Sequence, residues 1–201
     1  PSLSTFSNTS DIFEAYVFCL ILQAARVEGA TIYYRDVHGN IPSNFVFRTS
    51  PGYIYSTVHP YTHAVIEFPN KPPLENHVGV RVVGKSGVLH ECDVAVIEQA
   101  EAETCRRRAV PPRSHKVLIG VECKFYTTLL HLNLARAFIG LTTDISNGNR
   151  FFVSNTQSES VERLLSNRKR DWEHNLTPSA TIEVDRLRHK FQGAFQHFKA
   201  A

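Results

Sequence analysis

The sequence predicts an α/β protein with a mixed central β-sheet flanked by helices. Three observations predict this class: an apolar pattern at helical spacing near the amino terminus, β-branched runs separated by turn residues, and a strand–helix–strand order over residues 117–154. The strand–helix–strand unit implies a parallel crossover, whereas the hairpin before it supplies antiparallel strands. We therefore expect both kinds of strand pairing in one sheet.

The amino-terminal half is predicted to begin with one helix and to continue in short strands. Apolar residues recur at helical spacing up to about residue 28, with a cap at Ser10 or Asp11 and a stop at Gly29. Residues 30–76 indicate a β-rich insertion, with strands at 31–35, 44–49, 53–58 and 64–68 between Gly, Pro and Asn breaks. The aromatic residues of this insertion either fill a core or line a nucleic-acid surface.

The carboxy-terminal half predicts a hairpin, a crossover and further helices. The hairpin pairs strands at 78–83 and 88–98, and residues 100–116 are predicted to be a loop. The later elements are a strand at 117–125, a helix at 127–143, a strand at 150–154, and helices at 158–170 and 178–199. We expect a single domain over residues 1–201, with its core at about 10–29 and 77–170.

Composition limits the class of protein and its compartment. The chain has no run of about 18 apolar residues, so no membrane span is expected, and residues 15–25 lack the basic region and cleavage site of a signal peptide. The four cysteines contain no CxxC motif, which predicts reduced thiols in a cytoplasmic protein. A formal net charge of +3 permits a polyanionic partner without requiring one.

Acidic side chains and a lysine stand at the polar edge of two predicted buried strands. Asp93 lies in the first of these strands, and Glu122 and Lys124 lie two residues apart on the next, so these two point to the same face. Buried carboxylates are costly unless something compensates their charge. Mg²⁺ is a suitable compensation because it prefers oxygen ligands. A metal beside a lysine predicts phosphodiester chemistry.

These residues resemble the PD-(D/E)XK nuclease superfamily, whose fold is called restriction-endonuclease-like. Asp93 and the Glu122-Cys123-Lys124 segment fit the D…E-x-K pattern, and Glu14 in the first helix fits an extra carboxylate that is frequent in this family. The match covers about residues 10–170. The proline that precedes the first aspartate in the family is replaced here by a cysteine.

The resemblance implies a Mg²⁺- or Mn²⁺-dependent endonuclease with DNA as the expected substrate and RNA as the alternative. Asp93, Glu122 and Glu14 would hold the metal, and the backbone carbonyl of Cys123 would add an oxygen ligand. Lys124 would orient or deprotonate the attacking water, or stabilise the developing charge, and a nearby metal would lower its pKa. Both one and two metal ions fit this set.

Some of these residues keep a second interpretation. Glu91 shares the face of Asp93 and is an alternative ligand, and His90 is either a phosphate contact or a surface histidine. The place of Glu14 is also explained by the helix macrodipole alone, since acids are favoured near helix amino termini. Glu122 and Lys124 also fit a structural ion pair. Zinc is not expected from the cysteines and the histidines near them, whose spacing fits no common pattern.

Basic residues predict a nucleic-acid surface. Arg106, Arg107, Arg108, Arg113 and Lys116 lie in the predicted loop between the two motif strands, which we expect beside the metal site. Arg136, on the helix that follows, is predicted to point towards the same site. A catalytically inactive nucleic-acid-binding or assembly module of the same fold is the alternative function, as is a nuclease subunit of a larger complex. A homodimer is also compatible with the sequence.

Overall fold

The computed structural model describes residues 8–58, 60–145 and 149–201, and in this part of the chain seven strands form one sheet. The strands are β1 (Thr31–Asp36), β2 (Thr62–Glu67), β3 (Leu74–Val83), β4 (Leu89–Glu98), β5 (Val117–Lys124), β6 (Asn149–Ser154) and β7 (Asp171–Glu173). They lie side by side in chain order. Pairing is antiparallel from β1 to β5 and parallel from β5 to β7, which confirms the mixed sheet.

Helices flank this sheet on both faces, as predicted for the α/β class. They are α1 (Thr9–Val27), α2 (Gln99–Arg108), α3 (Leu132–Asp144), α4 (Glu159–Asn167) and α5 (Thr181–Ala200). Helices α1 and α5 pack on one face, where Phe151 of β6 meets Phe191 of α5. Helices α3 and α4 pack on the other face, where Phe152 meets Phe138 of α3. None of the described helices combines the length and apolar character that a bilayer crossing needs.

The predicted strands at 44–49 and 53–58 are wrong, whereas β1 and β2 join the sheet as its edge. The physical reason is that Arg48 replaces a strand partner with its side chain. Its guanidinium donates hydrogen bonds to the backbone carbonyls of Gly52, Tyr53 and Gly79. Aromatic side chains of this segment complete the core instead, since Phe45 and Phe47 both pack edge-on against Phe18 of α1.

The predicted loop at 100–116 is also wrong, because its first part forms helix α2. Ala100 and Ala102 are strong helix formers, and Ala102 is fully buried beneath the helix. The helix ends at Ala109, which has a left-handed φ of 52°, and two prolines at 111–112 prevent its continuation. The run of arginines thus lies on the last turn of a helix, where positive charge is favoured by the macrodipole.

Two further differences concern short elements. Helix α3 begins at Leu132 and not at residue 127, because the Asn155 side chain holds the backbone N–H and carbonyl of Tyr126 in an irregular turn. Strand β7 is not expected from the sequence, since three residues are too few to show an alternating pattern.

Candidate active site

The site begins where β4 and β5 stop pairing. The ladder between them ends at the pair Val94–Val121. Beyond it, the Oδ2 atom of Asp93 accepts a hydrogen bond of 2.6 Å from the backbone N–H of Cys123. The Asp93 side chain therefore accepts the hydrogen bond of a β5 backbone N–H group that has no backbone partner on β4. Asp93 is 7% exposed, and this bond fixes its orientation against the next strand.

Lys124 lies between the two predicted metal-binding carboxylates. Its Nζ atom is 2.6 Å from Oε1 of Glu122 and 3.5 Å from Oδ2 of Asp93. Strand alternation brings Glu122 and Lys124 to one face, as expected from their spacing. The sheet therefore brings Asp93, Glu122 and Lys124 into one cluster.

Negative charge exceeds positive charge around this lysine. Burial first, and the Asp93 carboxylate second, raise the pKa of Glu122 to about 7. Burial first, and then the Asp93 carboxylate, also raise the pKa of Glu14 on α1, to about 8. Burial and Asp93 also raise the pKa of the Glu91 carboxyl. Two carboxylates thus contact the Lys124 ammonium group, and those of Glu14 and Glu91 interact with it electrostatically.

Lys124 itself is held in its charged form. Burial alone would lower the pKa of its ammonium group, but the Asp93 and Glu122 carboxylates outweigh burial and raise that pKa. A nearby metal ion is expected to lower the pKa of Lys124. Among the protein groups alone, the pKa of Lys124 is raised instead. Lys124 is a proton-bearing cation in this cluster.

A groove of about 520 Å³ opens beside the cluster. One wall carries the polar side chains of the two strands, and helix α3 forms the other wall. The residues that line it are His90, Glu91, Asp93, Glu122, Lys124, Ala137, Phe138, Gly140 and Leu141. Two of the α3 residues are small, and their lack of bulk leaves the space in front of the carboxylates open. The sequence predicts that this helix adjoins the site through Arg136, whereas the structure lines the groove with its small and apolar residues instead.

His90 is held in place by a residue that the sequence pattern does not single out. The Nε2 atom of His90 lies 2.5 Å from Oδ2 of Asp144, at the carboxyl end of α3. The same carboxylate accepts hydrogen bonds from the backbone N–H and the hydroxyl of Ser86, at 2.7 and 2.6 Å. Bonds from Ser86 first, and then from His90, lower the pKa of Asp144 to about 2. A Cβ atom at Gly84 would overlap Oδ2 of Asp144 and would displace this carboxylate from its contacts with Ser86 and His90.

The basic residues of the interstrand segment lie away from the groove, and their expected position beside the site is wrong. Arg106, Arg113 and Lys116 form ion pairs with Glu75, Glu101 and Glu98, respectively. Strand β5 separates this segment from Lys124 by its whole length, about 23 Å at 3.3 Å per residue. The reason is that the basic segment leads into the first residue of β5, whereas Glu122 and Lys124 lie at the last residues of this strand.

The remaining basic residues are exposed. Arg107 and Arg108 lie on the last turn of α2, and Arg136 lines a shallow groove between α3 and α4 rather than the candidate site. Their contact with nucleic acid stays a prediction, as does metal ligation by the backbone carbonyl of Cys123.

The predicted carboxylates are not gathered around a single point. In the described residues, one group of three potential ligands has its atoms within 4.8 Å of one another, and it consists of His63, Glu75 and His77 on β2 and β3. This group is not predicted from the sequence. The chain matched no protein-family model, no curated protein and no solved structure, so comparison with known proteins assigns neither a family nor an activity.

Proposed function

We propose that this protein is a Mg²⁺-dependent endonuclease of the PD-(D/E)XK type that hydrolyses phosphodiester bonds in DNA. The observation that carries the proposal is the excess of carboxylates around Lys124 at the separated ends of β4 and β5, where Asp93 is buried and Glu14 and Glu122 are half-buried. A purely structural ion pair has no need for this excess. Perturbed carboxyl groups in a groove are typical of functional sites.

The donor set fits a hard divalent cation. Asp93, Glu122 and Glu14 offer carboxylate oxygens, which Mg²⁺ and Mn²⁺ prefer. Asp93 uses Oδ2 for its contacts with Cys123 and Lys124, so Oδ1 is the atom left to face a cation. Such an ion would polarise a phosphoryl oxygen and make a bound water more acidic. The raised pKa values of Glu14 and Glu122 mark the positions where added positive charge would be most favourable.

Lys124 supplies a positive charge from the protein itself. Because its neighbours keep it protonated, its role in the proposal is to stabilise negative charge on the phosphate and not to accept a proton. His90, held by Asp144 at the rim of the groove, is the second group that could contact a phosphate oxygen. The groove wall of α3 would limit which strand geometry reaches these groups.

The proposal is tested by incubating the full chain with plasmid and linear DNA, with Mg²⁺, with Mn²⁺ and with chelator. We expect cleavage only with a divalent ion, and a loss of at least about 100-fold in Lys124→Ala. Arg26→Ala is the matched control, because it removes an exposed cation at the far end of α1. Intact DNA in every condition, or equal cleavage by Lys124→Ala, would refute the proposal. A parallel RNA substrate decides the alternative.

A catalytically inactive nucleic-acid-binding module is the second candidate. It is favoured by the contact of 2.6 Å between Lys124 and Glu122, which already occupies one of the proposed ligands. This candidate predicts salt-sensitive DNA binding without metal dependence, and Asp93→Ala would leave that binding intact. A nuclease subunit that needs a partner would be silent alone and active in the complex. Cytoplasmic location and a homodimer are further parts of the proposal.

A further inference from the structure

Two histidines and a glutamate form a second buried cluster, on strands β2 and β3 near one edge of the sheet. His63 lies on β2, and Glu75 and His77 lie two residues apart on β3, so the latter share a face. The β2–β3 register pairs Ala64 with Asn76, which places His63 directly opposite His77. All three side chains are buried, with exposures of 2%, 0% and 0%.

The potential ligand atoms converge on one oxygen. The Nε2 atom of His77 lies 3.0 Å from Oε2 of Glu75, and the Nε2 atom of His63 lies 3.6 Å from the same oxygen. The two imidazole rings stack with their centroids 4.9 Å apart and their planes 23° apart. Both rings therefore direct the same nitrogen into the same small volume.

Hydrogen bonding alone does not satisfy this cluster. The Arg106 guanidinium binds Glu75 as a fork, with one nitrogen 2.8 Å from Oε2 and the other 2.7 Å from Oε1. The lone pair of Oε2 that remains can accept from one imidazole, and the distance of 3.6 Å to His63 exceeds a hydrogen bond. The Nδ1 atoms of both histidines are buried and find no partner among the described residues. An ion bound at the two Nε2 atoms would leave these Nδ1 atoms as they are, so the contact that an ion would complete is the one between Nε2 of His63 and Oε2 of Glu75.

We propose that His63, Glu75 and His77 bind one transition-metal ion of the Zn²⁺ class. Two imidazole nitrogens and one carboxylate oxygen are a common Zn²⁺ donor set, whereas Mg²⁺ prefers oxygen alone. Metal–ligand bonds of about 2.0–2.1 Å in a tetrahedron separate the ligand atoms by about 3.3 Å. The observed separations of 3.0 and 3.6 Å from Oε2 lie on either side of this value.

The histidines are in the protonation state that binds metal. Burial lowers the pKa of His63 to about 3 and also lowers the pKa of His77, so both rings are neutral near pH 7. A metal ligand must offer a free nitrogen lone pair, and a neutral imidazole does so.

Arg106 opposes the ion by its charge. Its guanidinium already neutralises Glu75, so an incoming cation adds positive charge beside an existing one. Arg106→Gln removes that charge and leaves Glu75 without its fork, and both changes favour the metal. We therefore expect this variant to bind Zn²⁺ more tightly than the wild type.

The site is independent of the proposed nuclease centre. The two groups share no residue, and their donors select different classes of ion. Three protein ligands leave a fourth position open, and the burial of all three would place the ion between β2 and β3.

The proposal is tested by titrating the metal-free full chain with Zn²⁺ in excess Mg²⁺ and measuring the heat of binding. We expect one ion per chain, and an affinity lower by about 100-fold or more in His77→Asn. His38→Asn is the matched control, because this histidine is exposed outside the cluster. Absence of stoichiometric binding, or equal affinity in His77→Asn, would overturn the proposal.

Two measurements keep the test decisive if His77→Asn fails to fold. X-ray absorption of the Zn²⁺-loaded wild type should show only nitrogen and oxygen neighbours, and a sulfur neighbour would assign the ion to the cysteines instead. In the second, Arg106→Gln, once its folded state is verified by circular dichroism, should tighten Zn²⁺ binding at least tenfold, and equal or weaker binding in the folded variant would count against an ion beside Glu75.

Discussion

Two charged clusters, one half-buried and one buried, share one sheet, and each lacks a different kind of partner. Around Lys124, carboxylates outnumber cations, and the pKa of Glu122 rises to about 7 from burial and from Asp93. Burial alone would also raise the pKa of Glu75, but the Arg106 fork and His77 outweigh burial and hold it below its ordinary value. Within the described part of the chain, the first cluster has one cation for several carboxylates, and the second lacks partners for the Nδ1 atoms of its two imidazoles.

This difference shows that burial does not decide the state of an acidic group. Glu75 is more deeply buried than Glu122, and yet it is the one that stays ionised because a guanidinium faces it at two atoms. The composition of the surrounding groups also selects the cation. Oxygen donors around Lys124 favour Mg²⁺, and nitrogen donors around Glu75 favour Zn²⁺.

Removal of Arg106 should have the largest effect on stability. In the metal-free protein, Arg106→Gln leaves a buried carboxylate without its cation, which costs about 3–5 kcal/mol. Arg113→Gln should cost much less, because Arg113 is 58% exposed in its pair with Glu101. Urea unfolding measures both variants. Equal losses would mean that the Glu75 cluster gains nothing from its fork.

Asp93→Asn should abolish most of the proposed activity while the fold survives. The amide keeps the shape of the carboxylate and can still accept the hydrogen bond from Cys123, but it carries no charge for a cation. We expect Mg²⁺-dependent cleavage to fall by about 100-fold or more. Initial rates on plasmid DNA measure this, with Asp185→Asn on the exposed face of α5 as the control. Full activity in Asp93→Asn would exclude Asp93 from the site.

The pH dependence of metal binding should separate the two clusters. Glu122, with a pKa of about 7, and Glu14, with a pKa of about 8, must each lose a proton to bind Mg²⁺. Mg²⁺ affinity should therefore rise between pH 6 and 8, by up to about tenfold per pH unit for each proton released. Zn²⁺ affinity should change little, because the pKa of His63 is about 3. Calorimetry over this range compares the two ions, and a flat Mg²⁺ profile would count against the carboxylate site.

Glu14→Gln should stabilise the metal-free protein modestly. The pKa of Glu14 in the folded state, about 8, lies above its ordinary value of 4.5, so the folded protein loses stability as pH rises from 4.5 through 8. A neutral amide avoids that loss, which is on the order of 1 kcal/mol after screening by solvent. Unfolding at pH 8.5 should show the gain, and unfolding at pH 4 should not. Glu103→Gln, an exposed change on α2, is the control.

The sequence predicts the core of the cluster around Lys124. Asp93, Glu122 and Lys124 were identifiable because strand alternation and β-branched runs fix both position and face. The approach of Glu14 to Asp93 depends on how α1 packs across the sheet, which a local sequence pattern does not specify. Asp144 gave no signal, because its contact with His90 joins residues 54 positions apart.

The errors have physical causes of two kinds. Helix α2 is not predicted, because the run of arginines on its last turn is typical of a loop and only a few of its residues are apolar and buried. The His63–Glu75–His77 cluster could not be read from spacing, because it requires the register of two antiparallel strands. The predicted strands at 44–49 and 53–58 do not form, because the Arg48 side chain donates hydrogen bonds to the backbone carbonyls of Gly52 and Tyr53.

Gly140 lies in α3 and lines the groove, where the stability of the helix and access to the carboxylates favour different residues. A Cβ atom at this position would meet nothing within 4 Å, so alanine would fit without strain. Alanine in the middle of a helix is more favourable than glycine by about 1 kcal/mol, and α3 would become more rigid. The added methyl group would project from the wall that faces the carboxylates. At this position, resistance to unfolding and room for a substrate favour different residues, and the chain carries the one that leaves room.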